Sequence, residues 1–416
     1  MQHILLPSGK HLLYEKTNKY KGEFLTALYI TPSKRENMTV SNLVSSVLLR
    51  GCSKYRTQQE LSKRCEELYA LSINSGSQRY GAMHAFSFAL SMLSNRYSID
   101  GTDITSEAIK LLNDIVHKPL ISNGGFDARY TEREKINLRD ALAAQINSKS
   151  AYARRRTVEL MCDGETAGIF ADGYIDDIKD ITSHSAAEHL KRTLDSSELL
   201  VTYVGSCEPD ALCDNIEHDL FASDIAYQKT APQKHTAQKY RNLSEHMDVT
   251  QSKVVVGFRS PRNLFDADYI KFALFNELFG GGTASRLFLN VREKQSLCYY
   301  CNSRSYALDG ITLVEAGVKK GDAEVLTDAV YKQLDDIKNG NISDSEFDCA
   351  KRSLTHGYMS VLDSPSSVSS WYTSRFMANR YDSPLDATHS LKNVTKDNIV
   401  EMARDLTPDC RFVLEG

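Results

Sequence analysis

The sequence predicts an α+β protein built as two homologous halves, each an antiparallel sheet with helices packed on one face. Three observations point there. At 416 residues the chain is too long for one ordinary core. The same order of helices and strands runs twice along it, offset by roughly 230 residues, the mark of a duplicated domain rather than a short solenoid period. Strands and helices also come in runs that do not strictly alternate, which argues α+β rather than a parallel α/β sheet.

In the first half, "VSNLVSSVLLRGCSKYRT" (Val40 to Thr57) reads as an amphipathic helix with Leu43, Val44, Val47 and Leu48 on one face. Arg50 sits in its last turn and Gly51 follows as a stop. Asn42, Ser45 and Ser46 are small polar residues in this otherwise greasy segment. A helix, "TQQELSKRCEEL", and a strand, "YALSINSGSQ", come next. In "HAFSFALSML" the alternation of Phe86, Phe88 and Leu90 marks a half-buried strand. The helix "SEAIKLLNDIVH" follows, and later "FDARYTEREKINLRDALAAQI", with Leu138, Leu142 and Ile146 as its buried stripe. The second half repeats the order in "KFALFNELFGGG", "ASRLFLNVREKQS", "LCYYCNSRSY", "GITLVEAGV" and "AEVLTDAVYKQLDDIK". Between them "QKTAPQKHTAQKYRNLSEHMD" is polar and poor in large aliphatics, the natural linker. The expected domains are therefore 1–225 and 248–416, with 226–247 as the linker.

Composition narrows the function. An apolar fraction of 41% and a charged fraction of 25% are those of a soluble globular protein. A net charge of −4 without any Lys/Arg run argues against a nucleic-acid partner. No segment approaches the roughly 18 uninterrupted apolar residues of a membrane span. The start, "MQHILLPSGKHLLYEK", lacks the charged head and apolar core of a signal peptide. Nine scattered cysteines, an odd number, favour free thiols, so a cytoplasmic location is expected. Cys298 and Cys301 form a lone C-x-x-C in a strand-like segment, where i and i+3 point to opposite faces. They read as two strand cysteines rather than a zinc or redox pair. "HSAAEH" (His184 to His189) imitates a metal motif, but its histidines lie about 140° apart on a helix. It reads as the start of an exposed helix capped by "DITS".

The most specific segment, "FGGGTASRLFLNVREKQSLCYY" (Phe279 to Tyr300), resembles the signature of the pitrilysin/insulinase family of zinc peptidases, which includes the mitochondrial processing peptidases. In that family a Gly-rich turn precedes S-R-L-F, then R-E-K, then L-x-Y. Here these are Gly280–Gly281–Gly282, Ser285–Arg286–Leu287–Phe288, Arg292–Glu293–Lys294 and Leu297–Cys298–Tyr299. The similarity in element order covers nearly the whole chain, and the family also has two α+β halves joined by a linker.

Active members carry H-x-x-E-H on the first helix, nine residues before its terminal glycine. Setting that glycine at Gly51 puts the histidines at Asn42 and Ser46 and the glutamate at Ser45. An amide and two alcohols do not hold zinc, and a serine hydroxyl is too weak a base to activate a metal-bound water. No histidine occurs between His11 and His84, so no shift of register restores the motif. The third ligand, a glutamate seven residues beyond a companion glutamate, falls at Ala141 when Glu134 is the companion. Asp140 beside it points about 100° away. The resemblance therefore implies a bacterial-type member with no metal and no cofactor.

It also implies roles for what is retained. Arg292 and Tyr299, seven apart, match the pair that reaches toward the zinc and holds the substrate carbonyl and oxyanion. On their own, these residues read as a solvated helix charge and a packing tyrosine. Gly280 to Gly282 match a substrate-contacting loop, as in the non-catalytic processing-peptidase subunit, or serve only a turn. "HAFSFALSML" is a candidate edge for an extended peptide. The expected function is a non-catalytic subunit forming half of a clamshell around a peptide or small protein. Its partner would be a zinc-bearing homologue, or a second copy by self-association. The alternative is a scaffold with no role in proteolysis, like the family's respiratory-complex core subunits.

Overall fold

The computed structural model describes residues 1–220, 223–229, 240–260 and 262–416; residues 230–239 of the expected linker lie outside them. The chain forms two compact units. Met1–Ala143, Ile169–Lys229 and Leu362–Met377 make the first, and Ala144–Gly168, Thr230–Val361 and Ala378–Gly416 the second.

The chain opens with β1 (Gln2–Leu5), β2 (His11–Lys16), β3 (Gly22–Pro32), α1 (Arg35–Leu48) and α2 (Gln58–Glu67). It continues through β4 (Ser72–Tyr80), β5 (Met83–Leu93), α3 (Ile104–His117), β6 (Ile121–Ser122), β7 (Gly125–Phe126), α4 (Ala128–Ala144) and α5 (Lys149–Met161). Then come α6 (Ser183–Ser196), β8 (Glu198–Gly205), α7 (Pro209–Asp219), β9 (Arg241–His246), β10 (Ser252–Arg259) and α8 (Tyr269–Asn276). The last elements are β11 (Cys298–Tyr306), β12 (Ile311–Val318), α9 (Ala323–Lys338), α10 (Asp344–Ser360), α11 (Pro365–Met377), α12 (Pro384–Lys392), α13 (Lys396–Asp405) and β13 (Thr407–Glu415). None of the helices among the described residues is long and apolar enough to cross a membrane.

The sheet of the first unit runs β1-β2-β8-β3-β5-β4, antiparallel except for the parallel pair β2–β8. Tyr29, Phe86, Phe88 and Leu90 pack from one face into the core shared with α1, α3, α6 and α7. The opposite face, with Leu13, Leu28, Ile30 and Leu200, is covered by α11 through Val368, Tyr372 and Phe376, which recur every fourth residue. β5 is thus buried on both faces rather than half-buried, since Met83 and Ala85 join the α11 side. It lies between β3 and β4, so it offers no edge to a peptide; β4 is the edge strand.

The second sheet, β11-β12-β10-β13-β9, repeats the order β4-β5-β3-β8-β2, including a parallel pair, β9–β13. Its core, with Phe258, Phe275, Phe279, Val314 and Val330, lies against α8, α9 and α13. A helix from the other stretch of sequence packs on this sheet too, burying Ala153, Val158 and Met161 and adding charged contacts. Arg154 of α5 grips Glu315 at 2.7 and 3.1 Å, and Tyr152 and Arg156 reach Glu245 at 2.6 and 2.8 Å. Gly257 makes room for the helix: a Cβ there would lie 2.1 Å from the Met161 sulfur. So α5 completes the second unit and α11 the first, and neither unit is one uninterrupted stretch of chain.

The expected stripe of α4 is not a buried one. Leu138 and Leu142 are half-buried, and Ile146, past the helix end, is 43% exposed. The helix is anchored by its first turns instead, where Thr131, Glu134 and Lys135 are buried and Lys135 Nζ donates to the Ile181 carbonyl at 2.8 Å.

Candidate functional site

In the first unit the site is built on α1. Leu43, Val44, Val47 and Leu48 bury its apolar face, and the helix ends at Leu48. Gly51 has φ +147°, and a Cβ would lie 2.7 Å from the Tyr55 carbonyl oxygen, so glycine is required there. Arg50 lies beyond the last turn rather than in it, and its Nη2 sits 2.6 Å from the buried Glu134 carboxylate. It neutralises that carboxylate rather than the helix dipole.

The three polar side chains of α1 are all bonded to backbone carbonyls. Asn42 donates from its amide to the carbonyls of Met38 and Ala171. Ser45 Oγ and Ser46 Oγ both donate to the Asn42 carbonyl, at 2.8 and 3.2 Å. Ser75 Oγ of the edge strand β4 donates to the Ser45 carbonyl at 2.8 Å, tying strand to helix. Ala141 is an exposed methyl on α4. This donor set does not fit zinc, which takes imidazole, thiolate or carboxylate. Among the described residues no group of three or more His, Cys, Asp or Glu side chains could hold a metal.

The "HSAAEH" segment is capped as expected, with Thr182 and Ser185 forming a reciprocal capping box. It is not wholly exposed, however. His189 is 5% exposed and meets Ser41 Oγ of α1 at 2.8 Å, so it is a core histidine joining α6 to α1. His184 contacts the Asn123 carbonyl at 2.8 Å.

In the second unit the expected helix "ASRLFLNVREKQS" is π-helical over Leu287–Lys294, after a first π-helical turn at Glu277–Gly281. Such widened turns concentrate at functional sites. The three glycines are needed for close approach, not for a left-handed turn: none has positive φ. A Cβ on Gly280 would lie 2.7 Å from the Ser303 backbone nitrogen. On Gly281 and Gly282 it would meet the Glu277 carboxylate, which Ser353 Oγ holds at 2.6 Å.

Arg292 lies in the second π-helical segment. Its Nε donates to the Tyr299 carbonyl at 2.9 Å, its guanidinium pairs with Glu293, and its Cζ sits 4.5 Å over the Phe288 ring. Ser296, with φ +51°, turns the chain into β11. Tyr299 follows on that edge strand with its side chain directed outward, 58% exposed. The ladder slips between Cys298 and Tyr300, so Tyr299 is the extra residue of a β-bulge. This reverses the parity expected for Cys298 and Cys301, which share a face instead of pointing apart. Period-two reading of the sequence misses it, because one inserted residue flips every side chain before it.

The geometry thus comprises two sheets of matching strand order, an α1 whose Asn42, Ser45 and Ser46 bond to backbone carbonyls, and an Arg292 joined to Tyr299. Residues 181–354 match the peptidase M16 inactive domain. Over 404 residues, 96% of this chain and 94% of the relative, it is 26% identical to the "Probable inactive metalloprotease YmfF" of Bacillus subtilis (strain 168). A shorter match, 26% identical over 33% of this chain and 32% of the relative, is to the "Uncharacterized zinc protease YmxG" of the same strain. A conserved protein from Enterococcus faecalis V583 has a similar structure, with TM-score 0.91, 25% identity and coverage of 100% of this chain and 98% of that one. The chain is thus similar over part of its length to the peptidase M16 inactive domain, and over nearly all of it to a relative named an inactive metalloprotease.

Proposed function

We propose that this chain is the zinc-less subunit of a two-chain pitrilysin-type peptidase of the cytoplasm, presenting Arg292 and Tyr299 to a peptide held at a zinc-bearing homologue. One observation carries the reading: Asn42, Ser45 and Ser46 of α1 are bonded to backbone carbonyls, while Tyr299 stands 58% exposed on an edge strand, joined to Arg292. The Arg/Tyr pair and Gly280 to Gly282 would contribute to the wall that binds a peptide or small protein. Strand addition at β4, beside α1, is the mode we assign to the extended substrate. The two halves, 1–225 and 248–416, are read as products of one duplication on the strength of the repeated sheet order, with β9 (Arg241–His246) of the expected linker 226–247 belonging to the second sheet. In Bacillus subtilis the relatives include one named inactive and one named a zinc protease, the composition such a pair requires.

The scaffold reading draws on a different observation: Arg292 already spends its guanidinium on Glu293 and the Tyr299 carbonyl. Co-purification from the native cell, with identification of the bound chain, separates the two. A zinc-bearing homologue whose cleavage of peptides depends on this chain supports the subunit. A partner without the zinc motif, or a homologue that cleaves equally well alone, supports the scaffold.

A further inference from the structure

The bulge at Tyr299 has chemical content. On β12, Val318 and Ala316 both face the core beneath the second sheet. Cys298 stands opposite Val318, and Cys301 opposite Ala316. Residues directly opposite in an antiparallel ladder share a face, so both thiols enter the same cluster. Their partners are two positions apart, which places the two cysteine backbones about 6.7 Å apart along the strand, at the upper end of the roughly 4.4–6.8 Å range that a disulfide spans. Cys301 is 2% exposed; Cys298 is half-buried at the rim of the cluster, beside the open edge of the sheet. The environment also separates their acidities. A hydrogen bond from Cys301 and then the Arg292 guanidinium bring the Cys298 thiol below its ordinary value, against the opposing effect of burial. The same hydrogen bond, with burial, holds Cys301 well above it. An accessible, more acidic thiol backed by a buried one is the arrangement of a nucleophile and its resolving partner.

We propose that Cys298 and Cys301 form a redox-active dithiol that exchanges with low-molecular-weight disulfides of the glutathione class. The Cys298 thiolate attacks one sulfur of the disulfide; that S–S bond breaks, a mixed disulfide forms on Cys298, and the leaving thiolate takes up the proton that Cys298 had released. Cys301 then attacks the Cys298 sulfur, loses its proton to the second departing thiolate, and closes the Cys298–Cys301 bond. Two electrons and two protons pass from the protein dithiol to the disulfide, which leaves as two thiols. The new bond bridges the bulge on which Tyr299 is carried. This site is independent of the peptidase-subunit reading.

The test is to equilibrate the intact protein in graded mixtures of reduced and oxidised glutathione, alkylate, and map the thiols by peptide mass spectrometry. The expected result is loss of two of the nine thiols, with the bond mapped between Cys298 and Cys301. Cys301→Ser should trap one glutathione on Cys298, and Cys298→Ser should leave Cys301 unmodified. Retention of all nine thiols by the folded wild-type chain overturns the proposal. So does a bond between other cysteines, or a Cys301→Ser protein that takes no glutathione at Cys298.

Discussion

Arg292 Nε donates to the backbone carbonyl of Tyr299 at 2.9 Å, so the guanidinium holds the strand on which the phenol is displayed. The two residues are one structural device, and substitutions at them differ in meaning. Arg292→Ala removes a charge and also a tether of β11. Tyr299→Phe removes only a hydroxyl from an exposed ring. If the phenol stabilises an oxyanion at a partner's zinc, Tyr299→Phe should lower turnover of the reconstituted pair by a factor of about 10² to 10³ without altering folding or association. Equal cleavage by the mutant pair would reduce Tyr299 to a surface residue.

The metal prediction concerns α1. Purified protein should carry no zinc attributable to Asn42, Ser45, Ser46 and Ala141, since the first three side chains are directed onto carbonyls and the fourth is a methyl. Elemental analysis checks it. About one equivalent of zinc, lost on replacing Asn42, Ser45 and Ser46, would refute it.

The glycines give a graded prediction. At Gly280 a Cβ strikes backbone, the Ser303 nitrogen at 2.7 Å, whereas at Gly281 it strikes first the end of the Glu277 side chain. Gly280→Ala should therefore cost about 1–3 kcal/mol and Gly281→Ala distinctly less. Urea unfolding midpoints at constant slope measure both. The reverse order would mean that close packing is not what selects glycine here.

Acid should unfold the protein through its buried histidines. Burial holds His84, His117 and His189 down to about 4. In the unfolded chain they titrate near 6.5, so on acidification the unfolded state binds the protons first. Their contribution is complete above about pH 6.5 and is lost as pH falls toward 4, on the order of 3 kcal/mol for each at the limit. His189→Gln should thus cost more stability at pH 8 than at pH 5. A cost independent of pH would contradict this assignment of the neutral form.

The repeated order of elements was legible because the same run of helices and strands occurs twice along the chain and can be compared with itself. The α1 face was legible because Leu43, Val44, Val47 and Leu48 have a helical period and all are buried. Periodicity says that a face is buried but not against what. Val368, Tyr372 and Phe376 have a clear period of four, yet nothing in it reveals that they cover Leu13, Leu28 and Leu200, more than 160 residues away in sequence. The same gap hid the second face of β5. At Cys298 the failure was of another kind: a strand's parity is a running count, and the bulge at Tyr299 shifts it by one. Arg292 and Tyr299 were picked out by the family resemblance and not by any pattern of their own, and their contact runs through a main-chain oxygen, which no side-chain pattern encodes.

The placement of α5 and α11 bears on how such a chain can be divided. Severing the peptide between the halves would not release two self-sufficient pieces. The amino-terminal piece would leave Leu13, Leu28 and Ile30 bare and carry α5 with no Glu315 or Glu245 to receive it; the carboxy-terminal piece would carry α11 as a surplus greasy rod. Each fragment holds what the other lacks, so nicked protein should stay whole, and separately made fragments should complement one another when mixed.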